Sequence, residues 1–200
     1  AVSAGSAHTC ALDSSASVVC WGYDFQGQVS DAPSGSGYTA LSANGYHNCA
    51  LDSFANVLCW GWDDDGQVSD APPGSGFTAV SAGNWSHSCA LAATGSVKCW
   101  GVNDGGALDY GQVSDTPTGT GYANVNAAYF HTCALDSSGG IECWGVDDGS
   151  ARDYGQVSDA PTGTGHTDVS GGYYHSCALD SSGGVECWGD DTHGQVSDVP

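Results

Sequence analysis

His131-Thr-Cys-Ala-Leu-Asp-Ser-Ser-Gly-Gly-Ile-Glu-Cys-Trp-Gly145 is the stretch that decides the fold. Two short apolar runs flank an Asp-Ser-Ser-Gly-Gly centre whose residues tolerate positive φ, which reads as two strands joined by a tight turn. A hairpin centred on Ser138 sets Leu135 opposite Ile141 and Cys133 opposite Cys143. Strand side chains alternate between faces, so these four residues share one face and Trp144 takes the other. Non-hydrogen-bonded antiparallel partners have Cα atoms about 4.5 Å apart, inside the range a disulfide spans.

The stretch recurs from His8, His47, His87, His131 and His175, at spacings of 39, 40, 44 and 44. Periods of this length mark propellers and other repeat arrays. Each copy reads as four short extended segments. The first is of the Val-Ser-Ala-Gly type (Val2–Gly5, Leu41–Asn44, Val80–Gly83, Val125–Ala128, Val169–Gly172). His-x-Cys-Ala-Leu and Val-x-Cys-Trp-Gly follow, and a weaker fourth strand is expected at Gly-Gln-Val-Ser-Asp. Pro-x-Gly-x-Gly linkers (33–37, 72–76, 117–121, 161–165) join the copies. Short strands, regular turn signals and no 3.6-residue periodicity make the chain all-β. The repeats run over 1–38, 39–77, 78–121, 122–165 and 166–200 as one repeat domain.

The ten cysteines pair by position as Cys10/Cys20, Cys49/Cys59, Cys89/Cys99, Cys133/Cys143 and Cys177/Cys187, always ten apart. Five cross-strand disulfides are the leading reading, each contributing about 2–3 kcal/mol. Thiolate zinc sites are one rival, although zinc prefers C-x₂₋₄-C spacing. Reduced, buried cysteines are another. Persisting disulfides imply an oxidising compartment, so the chain is expected to be extracellular or displayed on a cell surface. It starts at Ala1 without a methionine or a visible signal peptide, as expected of a processed secreted product or a trimmed one.

Only Lys98 and Arg152 are basic against 23 carboxylates, for a net charge of −21. Such a surface repels phosphate backbones and anionic membranes, which excludes nucleic acid as a partner. No run approaches the ~20 apolar residues of a membrane span, so membrane insertion is not expected.

In full, the unit Val-Ser-Ala-Gly-x-x-His-x-Cys-Ala-Leu, then Gly-x-Val-x-Cys-Trp-Gly-x-Asp-x-x-Gly-Gln, resembles the repeat of the regulator of chromosome condensation family. All five copies fit. The resemblance implies a β-propeller with one blade per repeat, hence five blades. The short period is similar to the compact bacterial repeats of the propeller-type β-lactamase inhibitor proteins. The family usually has seven repeats, so this chain closes as a five-bladed ring, is a piece of a longer array, or assembles with other copies. The founder's nucleotide-exchange and chromatin roles are not carried over to a secreted-looking chain without basic surface.

The candidate chemistry lies where the copies differ. The five repeat histidines read as structural rather than as a metal ring, and the tryptophans Trp21, Trp60, Trp100, Trp144 and Trp188 as inter-blade core. From the Gly after Trp to the Gly before Gln is five positions in repeats one, two and five, and ten in repeats three and four. Insertions in repeat proteins map to loops on one face, often the binding face. Binding is therefore assigned to Trp62, Leu108, Tyr110, Arg152 and Tyr154. The variable aromatics Tyr23, Tyr46, Trp85, Tyr129 and Tyr173 are candidates for stacking on sugars. Asp104, Asp109, Asp147, Asp148 and Asp153 are the carboxylates whose spacing would suit calcium; no other cofactor is expected. No nucleophile-elbow, phosphate-cradling or zinc-protease motif occurs, so no catalytic residue is assigned. The expected function is a non-catalytic module that binds a protein partner or self-associates structurally; the alternative is a glycan-binding lectin.

Overall fold

The computed structural model describes residues 1–199; Pro200, the last residue of the fifth repeat, lies outside the described residues. Each repeat forms one three-stranded antiparallel sheet, a blade. Blade 1 holds β1 (Val2–Ala4), β2 (His8–Leu12) and β3 (Val18–Gly22); blade 2 holds β4 (Ala40–Asn44), β5 (His47–Leu51) and β6 (Val57–Gly61). Blade 3 holds β7 (Phe77–Ala82), β8 (His87–Ala92) and β9 (Val97–Gly101). Blade 4 holds β10 (Tyr122–Ala127), β11 (His131–Asp136) and β12 (Ile141–Gly145), and blade 5 holds β13 (His166–Gly171), β14 (His175–Asp180) and β15 (Val185–Gly189). The first strands of successive blades lie side by side, β1 by β4, β4 by β7, β7 by β10 and β10 by β13.

The hairpin register is the one the alternation dictates: Cys133 faces Cys143, Leu135 faces Ile141 and Thr132 faces Trp144. All five expected disulfides are present, one per blade: Cys10–Cys20, Cys49–Cys59, Cys89–Cys99, Cys133–Cys143 and Cys177–Cys187. Their Cα–Cα separations are 4.0–4.1 Å. Among the described residues no cysteine is free, which removes the thiolate-zinc and reduced-cysteine alternatives. The two halves of each bridge differ in depth. Cys10, Cys49, Cys89 and Cys133, on the middle strands, are fully buried. Cys20, Cys59, Cys99, Cys143 and Cys187, on the outer strands, are only half-buried because no fourth strand covers that edge. Cys177 is also half-buried, with no other described blade packed over it.

The hairpin turn is held by its first residue. Asp136 accepts the Ser138 and Gly140 amides through one carboxylate oxygen, and Asp180 accepts those of Ser182 and Gly184. The left-handed position of this turn carries Gly95, Gly139 and Gly183 in blades 3 to 5, but Ala16 and Ala55 in blades 1 and 2.

Gly-Gln-Val-Ser-Asp is not a fourth strand, contrary to the sequence expectation. Gly27 sits at φ +78°, and Asp24 accepts the amides of Val29 and Ser30, so the segment curls into a turn. Those amides hold the Asp24 carboxyl below the usual carboxylate range. The buried glutamine of the segment presents its carbonyl to the next blade: Trp60 Nε1 donates to Gln28 O, Trp100 to Gln67 O, Trp144 to Gln112 O and Trp188 to Gln156 O, at 2.9–3.0 Å. Each of these tryptophans packs on the disulfide face of the preceding blade, Trp100 against Cys49 and Leu51 for example.

Trp21 departs from the expected core role. It is 52 % exposed, with no other described blade packed over it, whereas the other four are 4–5 % exposed. At the opposite end Leu179 and Val185 of blade 5 lie open. Among the described residues no hydrogen bond joins blade 5 to blade 1, so the five blades form an open arc rather than a closed ring.

Candidate functional site: the loop face

The repeat histidines belong to the seams between blades. His47 Nε2 meets Ser88 Oγ at 2.7 Å, His87 meets Thr132 Oγ1 at 2.9 Å and His131 meets Ser176 Oγ at 2.7 Å, each across to the following blade. Burial depresses their basicity, His47 and His131 to about 3 and His87 to about 4; the neighbouring histidines add to the effect on His47 and His131. Buried, neutral imidazoles tied to hydroxyls are structural groups, and none shares a ligand sphere with its neighbours.

The acidic residues expected to suit calcium are engaged in their own loops. Asp104 accepts the Gly106 amide, Asp109 those of Gly105 and Gly111, and Asp153 those of Gly149 and Gly155. Asp148 is held below the usual range by the Ser150 side chain and amide, and Asp147 is exposed. Among the described residues no three His, Cys, Asp or Glu side chains converge in a way that would hold a metal. The carboxylates assigned to calcium thus serve to form their own loops.

Four of the five residues assigned to binding, Leu108, Tyr110, Arg152 and Tyr154, gather in one group. The two long loops fold back onto the blades: Gln112 donates to Leu108 O and Gln156 to Arg152 O, so the buried glutamine side chains anchor the insertions. Leu108 and Tyr110 pack against Tyr129, Phe130 and Val146. Arg152 reaches from the blade 4 loop to that of blade 3, donating to Tyr110 Oη at 2.7 Å, with its guanidinium carbon 4.8 Å from the Phe130 ring centre. Tyr154 lies against Tyr174, their ring centres 5.1 Å apart. Trp62 lies away from this group, edge-on to Trp85 at 5.1 Å and to Tyr46 at 6.1 Å.

A belt of rings connects the two groups. Trp85 meets Tyr129 at 5.9 Å, Tyr129 stacks on Tyr173 at 3.7 Å, and Tyr173 meets Tyr174 at 5.0 Å. With Tyr23 and Phe25 beside each other in blade 1, aromatic surface crosses all five blades on this face. Sequence reasoning missed Phe25, Phe130 and Tyr174. The signal was present for the last two, since the position just before each repeat histidine holds Tyr46, Phe130 and Tyr174 in three of five copies.

Three segments, residues 1–28, 77–112 and 167–195, match the regulator of chromosome condensation (RCC1) repeat. No curated protein sequence matches the chain. Solved structures do. The CRINKLY WD40 ectodomain of the Arabidopsis thaliana receptor kinase ACR4 is 28 % identical, with a TM-score of 0.77 over 100 % of this chain and 66 % of that one. The ectodomain of the Physcomitrella patens receptor kinase CR4 is 25 % identical, with a TM-score of 0.76 over 94 % and 52 %. Prp20p from Saccharomyces cerevisiae, at 19 % identity and a TM-score of 0.71 over 94 % and 56 %, shares the fold. The chain thus spans about half to two-thirds of the length of these structures.

Proposed function

We propose that this arc of regulator of chromosome condensation repeats is an extracellular or cell-surface, non-catalytic module that recognises a protein partner through its loop face. The observation that carries the reading is the aromatic belt, which remains partly open to solvent: Phe25 is 80 % exposed, and Tyr23, Tyr173 and Tyr154 are 41–46 % exposed. Aromatic residues dominate the hot spots of protein interfaces, and a contiguous exposed apolar surface marks an interaction site. The five disulfides suit an oxidising setting. The similarity to two receptor-kinase ectodomains is in keeping with that setting. An array of secreted and surface proteins, probed with wild type and with the Phe25→Ala/Tyr173→Ala variant, tests the reading. Hits on proteins that the variant loses support it. Hits confined to a parallel glycan array establish the lectin alternative instead.

A second reading, structural assembly through the blade ends, is favoured by a separate observation. Each end of the arc carries half of every seam contact. His175 and Ser170 at one end are the counterparts of His131 and Asn126, which bond Ser176 and Gly171 in the seam before them, and Thr9, Ala4 and Trp21 at the other occupy the receiving positions. A Cβ on Gly95 would meet Gly121 N at 2.5 Å and one on Gly139 would meet His166 O at 2.4 Å, both at the entry to the next blade, whereas one on Gly183 meets nothing. Blades of a second copy would supply what is missing. Sedimentation equilibrium of wild type and Trp21→Asp tests this: concentration-dependent association abolished by the substitution supports it, and a monomer at every concentration removes it.

A further inference from the structure

The loop face contains two related aromatic niches, one filled and one open. In the filled copy, Phe130, the residue before a repeat histidine, and Tyr110, the residue before a Gly-Gln pair, flank the Arg152 guanidinium. Arg152 sits 4.8 and 5.8 Å from their ring centres and donates to Tyr110 Oη and to Ala107 O. A guanidinium over aromatic faces is held by the ring quadrupole, more strongly the less water reaches it. The ten-position loop of blade 4 is long enough to bring the arginine there.

In the open copy, one blade pair removed along the arc, Tyr46 stands at the Phe130 position and Gln26 at the Tyr110 position. The blade 2 loop is five positions shorter and, running Trp62-Asp-Asp-Asp-Gly66, contains no arginine. What remains is a solvent-open cleft of about 380 Å³ walled by Tyr23, Phe25, Tyr46, Trp62 and Trp85, with Gln26 and Asp64 at its edge. The adjoining depression is lined by Asp64, Asp65, Asp70 and Asp104, and the chain as a whole carries −21. Such a field draws cations to the surface and repels anions.

We infer that this cleft, walled by blades 1 to 3, receives an arginine or lysine side chain of a basic polypeptide, doing from outside what Arg152 does from within. The aromatic walls supply the cation–π faces, Asp64 the counter-charge, and Gln26 a hydrogen-bonding edge. The inference rests on the protein-recognition reading and names the partner's chemistry at one place on the loop face.

An array of random short peptides, probed with the intact protein at about 0.5 M salt so that diffuse attraction is screened, tests it. Retained peptides are expected to be rich in arginine or lysine. Exchanging the key arginine for citrulline should weaken binding about tenfold, and Phe25→Ala or Asp64→Asn about fivefold. Phe25 is exposed and Asp64 lies on a loop, so both variants keep the fold. Retention of peptides lacking basic residues would overturn the cation assignment while leaving protein recognition standing. Basic peptides that bind Phe25→Ala as tightly as wild type, or citrulline peptides as tightly as arginine ones, would overturn it as well. If no peptide is retained by any form, the cation assignment falls, and protein recognition is decided by the protein array alone.

Discussion

The four inner seams and the two ends of the arc are made of the same residues in different surroundings. Between blades 2 and 3, Trp100 is buried, bonded to Gln67 O, and His47 is tied to Ser88. At the ends, Trp21 projects into solvent, and the Gln195 carbonyl that stands where Gln67 does meets no tryptophan among the described residues. The contrast teaches that a blade is a half-finished object. Its hairpin closes itself through the disulfide, but its tryptophan and histidine acquire their roles only from a neighbour, as expected of repeats that stack into a shared core.

Acid provides the largest test of the seams. The folded state keeps His47, His87 and His131 neutral with values of about 3, 4 and 3 against an unfolded value near 6.5. Between those limits the unfolded chain binds more protons, so the stability these groups contribute is complete above pH 6.5 and declines as pH falls. At pH 5 the loss is about 2 kcal/mol for each histidine. Urea midpoints measured from pH 7.5 to 4.5 should fall accordingly; a flat profile would mean the seams admit water as the ends do.

Mutation sharpens the same contrast. Trp100→Ala is expected to cost about 3–5 kcal/mol, and Trp21→Ala within about 0.5 kcal/mol, in equilibrium unfolding. Equal costs would show that Trp21 is covered in solution. Thr132→Val removes the hydroxyl that His87 meets and should cost about 1–3 kcal/mol, while Thr9→Val, whose hydroxyl meets no histidine among the described residues, should be nearly silent. The smallest effect has the opposite sign. Ala16→Gly and Ala55→Gly relieve φ values of +57° and +62° and should each stabilise the arc by about 0.5–1 kcal/mol, detectable as a raised thermal midpoint.

What the sequence disclosed follows from range. The hairpin register, Cys133 opposite Cys143, depends on period-two alternation within a few residues, and it held in every blade. Gly-Gln-Val-Ser-Asp was misread because its composition suits a strand. What decides the segment is a side chain upstream, Asp24 or Asp63, that captures its amides. The exposure of Trp21 was equally invisible, since the residue is identical to its buried counterparts and only its place in the first of the described blades distinguishes it. On the loop face, Tyr110, Leu108 and Arg152 were singled out by the inserted loops, and they do meet. The open niche at Phe25 was not, because its walls come from three blades and no local pattern unites them.

The bond from each tryptophan to the preceding glutamine carbonyl has a consequence for how such a chain changes over generations. The donor is a side chain common to every copy and the acceptor is a backbone atom, so the joint ignores what lies between them: blades with short and long loops couple through the same contact. Duplicating, deleting or exchanging a whole repeat therefore yields a compatible joint on both sides, and the direction of the array is preserved because donor and acceptor never trade places. Loop sequences are free to drift under selection for new partners while the arc is inherited intact.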